Sequence, residues 1–296
     1  MRSSWTHIGK GLYLIDTKGP FYPRTIAVYL LRTEKGWVLF DTGYSSSAPL
    51  VIGSLREIGV GPNDLELIVV THAHLDHCGA LFEVLEHHPN ARALVHQKAY
   101  KYMLDPSRLV ESTRSLFGDV NFAKMGGMRP VPEQRIDVAD DGDQLVIGDK
   151  NLLIIYTPGH APHHLSVLID PLRYAVTGDA VAHKSPLFQR SIPATVPPRF
   201  DRDEYVRSLK KIFDHEPVLL LRPHYGPSLP SENALNEETS LVSWWMERVM
   251  TLKRELRDPV SIAWRIIDED LGGRKDVNPY VRDAVLVFTL GAYLST

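Results

Sequence analysis

The chain has 296 residues, of which 44% are hydrophobic and 23% charged, and its formal net charge is −3 at neutral pH. This length suits one large domain, or one domain with a small appendage. A slightly acidic chain has no overall attraction for nucleic acid or an anionic membrane, which argues against both as partners. The single cysteine excludes an intramolecular disulfide, and no apolar run approaches the roughly 18 residues that span a bilayer. Because the N-terminus also lacks the apolar core of a signal peptide, we expect a cytoplasmic protein.

The first part of the chain predicts strands followed by alternating helices and strands. Residues 25–31 and 37–40 are rich in β-branched and aromatic residues and predict two strands joined by a hairpin turn. Apolar spacing then predicts a helix over 48–58, a buried strand over 67–70, a helix over 79–87 and a strand over 93–95. A short helix is predicted over 98–103, and the remaining residues up to 132 are expected to be irregular.

The second part repeats this order and then becomes helical. Strands are predicted over 144–147, 152–156, 165–169 and 174–177, followed by a helix over 203–213 and a strand over 218–221. After residue 230 the strand signals stop, and helices are predicted over 232–257, 260–270 and 279–294. We therefore expect an α/β fold of two similar halves with helices outside. Residues 1–230 would form the main domain and residues 231–296 a helical C-terminal segment.

A concentration of potential metal ligands follows the apolar strand over 67–70. The segment His-Ala-His-Leu-Asp-His occupies residues 72–77, at the carboxyl end of the strand, where α/β sheets place their chemistry. In a loop that turns from strand to helix, His72 and His74 can point to one side and Asp76 and His77 to the other, which would divide them between two ions. Imidazole and carboxylate donors suit zinc, iron or manganese, and the absence of clustered cysteines argues against a closed structural zinc site.

This segment resembles the H-x-H-x-D-H signature of the metallo-β-lactamase superfamily. The other ligands of that family occur in its order: His160 in Thr-Pro-Gly-His, Asp179 in Thr-Gly-Asp, and His224 after the strand over 218–221. Asp41, in Asp-Thr-Gly, matches an early aspartate of the family. The resemblance covers residues 10–230. It implies an αββα sandwich of the metallo-β-lactamase type, with the C-terminal helices as an extension.

The resemblance also implies two divalent metal ions, with zinc as the first expectation and iron or manganese as alternatives. It assigns His72, His74 and His160 to one ion, Asp76, His77 and His224 to the other, and Asp179 to both. A hydroxide that bridges the ions would be the nucleophile, and Asp76 would be the catalytic residue that orients it and moves its proton. Asp41 would hold a ligand histidine by its free ring nitrogen.

Asp179 favours one branch of this superfamily. True zinc β-lactamases lack a bridging carboxylate at that position, and flavodiiron proteins carry glutamate in place of His74. The pattern is closest to the glyoxalase II and lactonase group, which hydrolyses thioesters and lactones of small molecules. Two alternatives stay open, namely a phosphodiesterase or nuclease on the same dinuclear site and a mono-iron persulfide dioxygenase. The C-terminal segment fits either helices that flank the pocket or a small winged-helix-like tail, and the family allows a homodimer.

Other residues beside these motifs carry weaker expectations. Phe21 and Tyr22 could form an apolar flap over the metals, His163 and His164 would support the ligands, and Cys78 would lie in the core. His183 and Lys184 are expected on a solvated loop, with a substrate contact as the alternative. Tyr225 could lie near the substrate or only pack. The remaining histidines are expected at the surface: His7, His87, His88, His96 and His215.

Overall fold

Two β-sheets organise the computed structural model, which describes residues 4–184, 190–271 and 279–295. The first sheet contains, in spatial order, β1 (Trp5–Gly9), β2 (Leu12–Asp16), β3 (Ala27–Arg32), β4 (Trp37–Phe40), β5 (Leu65–Val69), β6 (Arg92–His96) and β7 (Ile136–Ala139). The second contains β8 (Gln144–Ile147), β9 (Lys150–Tyr156), β10 (Leu165–Asp170), β11 (Tyr174–Val176), β12 (Leu219–Arg222) and β13 (Gly226–Ser228), also as sequence neighbours. Strands β4 to β7 are parallel, as are β11 and β12, and the other pairs are antiparallel.

Helices cover the outer face of each sheet. The first sheet is flanked by α1 (Ala48–Ile58), α2 (Leu75–Cys78), α3 (Leu81–His87), α4 (Tyr100–Leu104) and α5 (Ser107–Met125). The second is flanked by α6 (Arg202–Asp214), α7 (Ala234–Leu256), α8 (Pro259–Asp270) and α9 (Pro279–Leu294). The architecture is therefore the expected αββα sandwich with C-terminal helices.

Alternation of side chains along the strands explains how both sheet faces are buried. In β4, Val38 and Phe40 belong to the apolar cluster between the two sheets, whereas Trp37 and Leu39 belong to the cluster under α1 to α5. In β9, Leu152 and Ile154 enter the layer between the sheets, and Ile155 faces the helices of the second half. Because successive side chains of a strand point to opposite faces, strands covered on both sides have to be apolar throughout.

The expectation of irregular structure up to residue 132 was wrong for much of that segment. Helix α5 runs through it, interrupted at Gly118, whose φ of 75° and ψ of 162° are not helical. Only Leu109 and Met125 of this helix are buried. A helix that buries so few apolar side chains leaves little periodic signal in the sequence. The helix expected over 79–87 is likewise preceded by the separate short helix α2.

The C-terminal helices share a core with the second sheet. One apolar cluster contains Leu209 of α6 and Leu220 of β12 together with Trp245 of α7, Ile266 of α8 and Phe288 of α9. Beyond residue 230 the described part of the chain contains helices and no strand, which agrees with the flanking-helix interpretation of this segment. The domain boundary at residue 230 stays a prediction. Among the described residues, no helix combines the length and apolar character that a membrane span requires.

Candidate metal centre

The seven predicted ligands meet at one end of the two sheets. His72, His74, Asp76 and His77 follow β5, and the last two lie on the short helix α2. The other three come from the second half: His160 follows β9, Asp179 follows β11 and His224 follows β12. All but His74 and Asp76 are buried, and those two are partly exposed. Each predicted ligand therefore lies shortly after the carboxyl end of a strand.

Three imidazole nitrogens converge on one side of this site. Nδ1 of His74 lies 2.9 Å from Nε2 of His72 and 3.0 Å from Nε2 of His160. Together they form a group of ligand atoms compact enough for one ion. Three nitrogen donors with room for further ligands are typical of a catalytic zinc site rather than a closed structural one.

A second group lies on the other side. Nε2 of His224 lies 3.3 Å from Oδ2 of Asp76 and 3.4 Å from Nε2 of His77. Oδ2 of Asp76 is 3.6 Å from Nε2 of His77. Two nitrogens and a carboxylate oxygen thus form a second compact group.

Asp179 stands between the two groups and offers one oxygen to each. Its Oδ2 lies 3.5 Å from Nε2 of His160, whereas its Oδ1 lies 3.7 Å from Nε2 of His77 and 3.6 Å from Nε2 of His224. Oδ1 is buried and has no hydrogen-bond partner among the described residues. A buried carboxylate oxygen without a donor is costly unless a cation satisfies it. The residues therefore fit a pair of metal ions.

Hydrogen bonds to the far side of the rings decide which nitrogen faces the site. Nδ1 of His160 donates to the backbone carbonyl of Ala194 at 2.7 Å, and Nδ1 of His224 donates to that of Thr25 at 2.8 Å. A carbonyl oxygen can only accept, so Nδ1 carries the proton in both rings and Nε2 presents its lone pair to the site. Such contacts fix the tautomer and orientation of ligand histidines.

Asp41 makes the predicted contact with a ligand histidine. Its Oδ2 lies 2.8 Å from Nδ1 of His77, and its Oδ1 accepts the backbone N–H of Thr71 at 2.8 Å. The Thr71 hydroxyl donates to the same carboxylate and lies 3.1 Å from Nδ1 of His72. Nε2 of His77 thereby faces Asp76 and His224, the other members of the second group.

Charge is distributed unevenly across the site. Burial and neighbouring histidines hold the pKa values of His72 and His74 well below the ordinary value. Burial acts on His77 in the same direction, but Asp76, Asp41 and Asp179 outweigh it and raise its pKa to about 10. Burial would raise the pKa of Asp76, yet His77 and His224 hold it below its usual range. The first group is therefore ready to bind as neutral imidazole, whereas a proton has to leave His77 before it can bind an ion.

A cavity of about 370 Å³ opens over the two groups. His74, Asp76, His160, Asp179 and His224 line its floor. Its walls are mostly apolar. They are formed by Phe21 of the loop between β2 and β3, by Leu109 and Phe117 of α5, and by Val287 and Phe288 of α9. This volume falls within the range of small-molecule sites.

Several weaker expectations have a clear outcome. Phe21 lines the cavity as expected of a flap, whereas Tyr22 is not among the described residues that line it. Cys78 is buried in the core. Tyr225 packs against the cluster between the sheets, which favours the packing role. His164 supports the site as expected, because its Nε2 accepts the backbone N–H of Asp179 at 2.9 Å.

Three histidines lie elsewhere than expected. His88 and His96 are buried rather than at the surface, and His96 stacks on the ring of Tyr156 at 3.8 Å between centroids. His183 is 4% exposed and lines the cavity, so its assignment to a solvated loop was wrong, although the neighbouring Lys184 is exposed. Burial of all three depends on residues distant in sequence, which a local pattern does not reveal.

Comparison with known proteins agrees with the fold and with the resemblance to the superfamily. The family model described as "Metallo-beta-lactamase superfamily" matches residues 22–224, more than half of the chain. The chain belongs to this superfamily of metal-dependent hydrolases. The match extends to His224, the last predicted ligand.

Individual relatives show the same similarity over different shares of the chain. The metallo-beta-lactamase fold-containing protein ST1585 of Sulfurisphaera tokodaii is 30% identical over 220 residues, which are 73% of this chain and 79% of that protein. The crystal structure of ST1585 covers 96% of this chain and 98% of its own, with a TM-score of 0.72 and 27% identity. The N-acyl homoserine lactonase AttM of Azorhizobium caulinodans is 25% identical over 186 residues, which are 61% of this chain and 65% of AttM.

The sequence did not reveal the partners that orient the ligands. The acceptors for His160 and His224 are backbone carbonyls of Ala194 and Thr25, and a backbone atom leaves no trace in residue type. Thr71 carried a weak signal, because a hydroxyl directly before a metal ligand can reach its ring. His183 carried one too, since a histidine a few residues after a bridging carboxylate lies within reach of it.

Proposed function

We propose that this chain hydrolyses an ester, thioester or lactone with two divalent metal ions, held by the residues of the two groups. The observation that carries this proposal is Asp179, which directs one oxygen to each group and has no hydrogen-bond partner for Oδ1 within the described chain. A bridging carboxylate favours two ions over one. Zinc is the first candidate, because three imidazole donors are typical of its catalytic sites.

The residues around the ions have separate tasks. When bound, the ions would lower the pKa of a water molecule towards about 7 and polarise the carbonyl of the substrate. Asp76 is partly exposed to the cavity, and its carboxylate is charged at neutral pH. It can therefore accept a hydrogen bond from that water, orient it towards the carbonyl, and pass its proton to the leaving oxygen or sulfur.

The cavity favours a small substrate with an apolar portion. Its apolar walls suit an acyl or alkyl group, and its volume admits a molecule of modest size. Arg108 and Arg199 are exposed basic residues at its lining, but a groove for a nucleic acid backbone would need a longer basic track. The name of AttM, an N-acyl homoserine lactonase, supports a lactone or related ester.

The proposal is tested by metal analysis together with a substrate panel. The purified chain, reconstituted with zinc, iron or manganese, is assayed on lactones, thioesters, carboxylic esters, bis(p-nitrophenyl) phosphate, RNA and β-lactams. We expect two ions per chain and the highest kcat/KM on an ester, thioester or lactone with an apolar acyl group. Asp179→Ala should bind fewer ions and lose at least a hundredfold in kcat.

A surface carboxylate provides the control. Asp214→Ala changes an exposed residue of α6 and should leave both metal content and kcat unchanged. Higher activity on phosphodiesters, oxygen consumption with a persulfide at one iron per chain, or full metal content and activity in Asp179→Ala would each reject the proposal. The cytoplasmic location and the homodimer stay predictions.

A further inference from the structure

His183 is a buried histidine in the cavity wall that lies outside the two groups described above, although its ring is close enough to Asp179 and His224 for these three to hold an ion as well. It lies four residues after Asp179 and is 4% exposed. Neither of its ring nitrogens has a hydrogen-bond partner among the described residues, although both are buried. A buried ring nitrogen without a partner costs free energy, so a hydrogen bond to this ring would stabilise the site.

Two neighbouring rings hold the imidazole of His183 in place. It stacks on His224 with 4.1 Å between centroids and 22° between planes. It also contacts Phe288 of α9 edge to face, with 5.0 Å between centroids and 83° between planes. Its backbone pairs in both directions with Ile192, at 2.9 and 3.2 Å. The ring therefore cannot turn to solvent, and only small adjustments are open to it.

One oxygen of the Asp179 carboxylate lies close to the ring of His183. Nε2 of His183 lies 3.4 Å from Oδ2 of Asp179, the same oxygen that faces His160 at 3.5 Å. A carboxylate oxygen has two lone pairs, so Oδ2 can bind the first ion with one and accept a hydrogen bond with the other. A neutral imidazole has a single N–H, which can stand on Nε2.

We propose that His183 is a positioning residue that donates its Nε2–H to Oδ2 of Asp179 and thereby holds this carboxylate across the two metal groups. The inference rests on the dinuclear site proposed above. Without a donor at Oδ2, the carboxylate can rotate and give both oxygens to one ion. With the donor in place, Oδ1 stays aimed at His77 and His224. Because Phe288 contacts the same ring, helix α9 supports the metal site through His183.

The proposal is tested by variants that remove or restore the N–H donor at this position. His183→Phe preserves a stacked ring but has no donor, and His183→Gln restores an N–H near the position of Nε2. Zinc affinity is measured by competition with a chromophoric chelator, and Co²⁺-substituted protein is examined by absorption spectroscopy. We expect His183→Phe to bind the more weakly held of the two ions about 10- to 100-fold less tightly. The affinity of His183→Gln should recover to within about threefold of that of the original chain.

The Co²⁺ spectrum separates positioning from direct ligation. If His183 only donates to Asp179, the spectrum of His183→Gln should match that of the original chain, since the ligand set is the same. A changed spectrum in this variant would overturn the proposal, because His183 would then be a ligand itself. Unchanged metal affinity in His183→Phe would overturn it as well. Should that variant not fold, His183→Leu provides the same comparison with a smaller apolar side chain.

His96 offers a matched control. It is also a buried imidazole stacked on an aromatic ring, Tyr156, but it does not line the cavity. His96→Phe should therefore keep the metal affinity of the original chain whatever it does to stability. If the original chain itself binds fewer than two ions, the proposed function fails. If it binds two and His183→Phe binds them equally well, only the role of His183 fails.

Discussion

Asp41 supports the loop that carries the first predicted ligands. Its φ of 61° lies in the left-handed region, where aspartate and asparagine are the side chains best tolerated after glycine. From this position its carboxylate reaches both Thr71, directly before the first ligand, and Nδ1 of His77. One side chain therefore connects the end of β4 with both ends of the ligand motif.

Asp41→Asn should weaken metal binding without unfolding the chain. Asparagine has the same shape and tolerates the same φ, but an amide N–H₂ faces Nδ1 of His77 where a carboxylate oxygen now accepts. We expect the affinity for the ion at His77 to fall about 10- to 100-fold, measured by chelator competition. Asp137→Asn, at an exposed ion pair with Arg92, should have no effect. An unchanged affinity in Asp41→Asn would mean that Asp41 only supports the loop.

The site also depends on the contact between the loop after β9 and helix α6. Gly159, which precedes His160, has a φ of +125°, and a Cβ at this position would overlap the backbone of Tyr205 in α6. Its carbonyl accepts the N–H of Asp201, the residue that caps this helix, at 2.8 Å. Only glycine allows this approach, so the position of His160 is set by how closely the loop meets the helix.

Gly159→Ala should therefore damage both stability and the metal site. We expect a loss of about 1 to 3 kcal/mol in the free energy of unfolding, measured with urea, because an added methyl group displaces the loop or the helix. His160 should move with the loop and zinc affinity should fall. Gly53→Ala is the control, since a Cβ there meets no atom within 4 Å. Because Gly53 lies inside α1, the control should gain up to about 1 kcal/mol. Equal effects of the two changes would contradict this account.

A buried ion pair connects the C-terminal helices to the candidate metal centre. Arg222 of β12 donates to Glu238 of α7 at 2.9 Å, and both side chains are largely buried, with exposed fractions of 8% and 11%. Arg222 also donates to the carbonyl of Ala182, whose N–H is accepted by Glu238. Ala182 directly precedes His183. One hydrogen-bond network therefore joins β12 of the second sheet, helix α7 and the segment that carries Ala182 and His183.

Glu238→Ala should be strongly destabilising, because it leaves Arg222 buried without its carboxylate. The expected loss is about 3 to 5 kcal/mol in the free energy of unfolding, followed by urea denaturation. For comparison, Asp214→Ala removes the exposed ion pair with Lys210, whose side chains are 64% and 56% exposed, and should change stability by less than about 1 kcal/mol. A small effect of Glu238→Ala would show that Arg222 finds other partners or water.

Sequence patterns predicted the order of strands and helices and the first cluster of potential ligands, and the resemblance to the superfamily supplied the αββα arrangement. Apolar strands covered on both faces and the ligand cluster at residues 72–77 are local patterns, whereas residues 160, 179 and 224 were assigned through the resemblance to the superfamily. Helix α5, the burial of His183 and the orientation of the ligand rings depend on tertiary contacts. Helix α5 buries only Leu109 and Met125, so its periodicity is weak, and His183 is enclosed by Phe288, more than a hundred residues away. The rings of His160 and His224 are oriented by backbone carbonyls, which have no residue identity to detect. Contacts between distant segments and backbone acceptors exist only once the chain has folded.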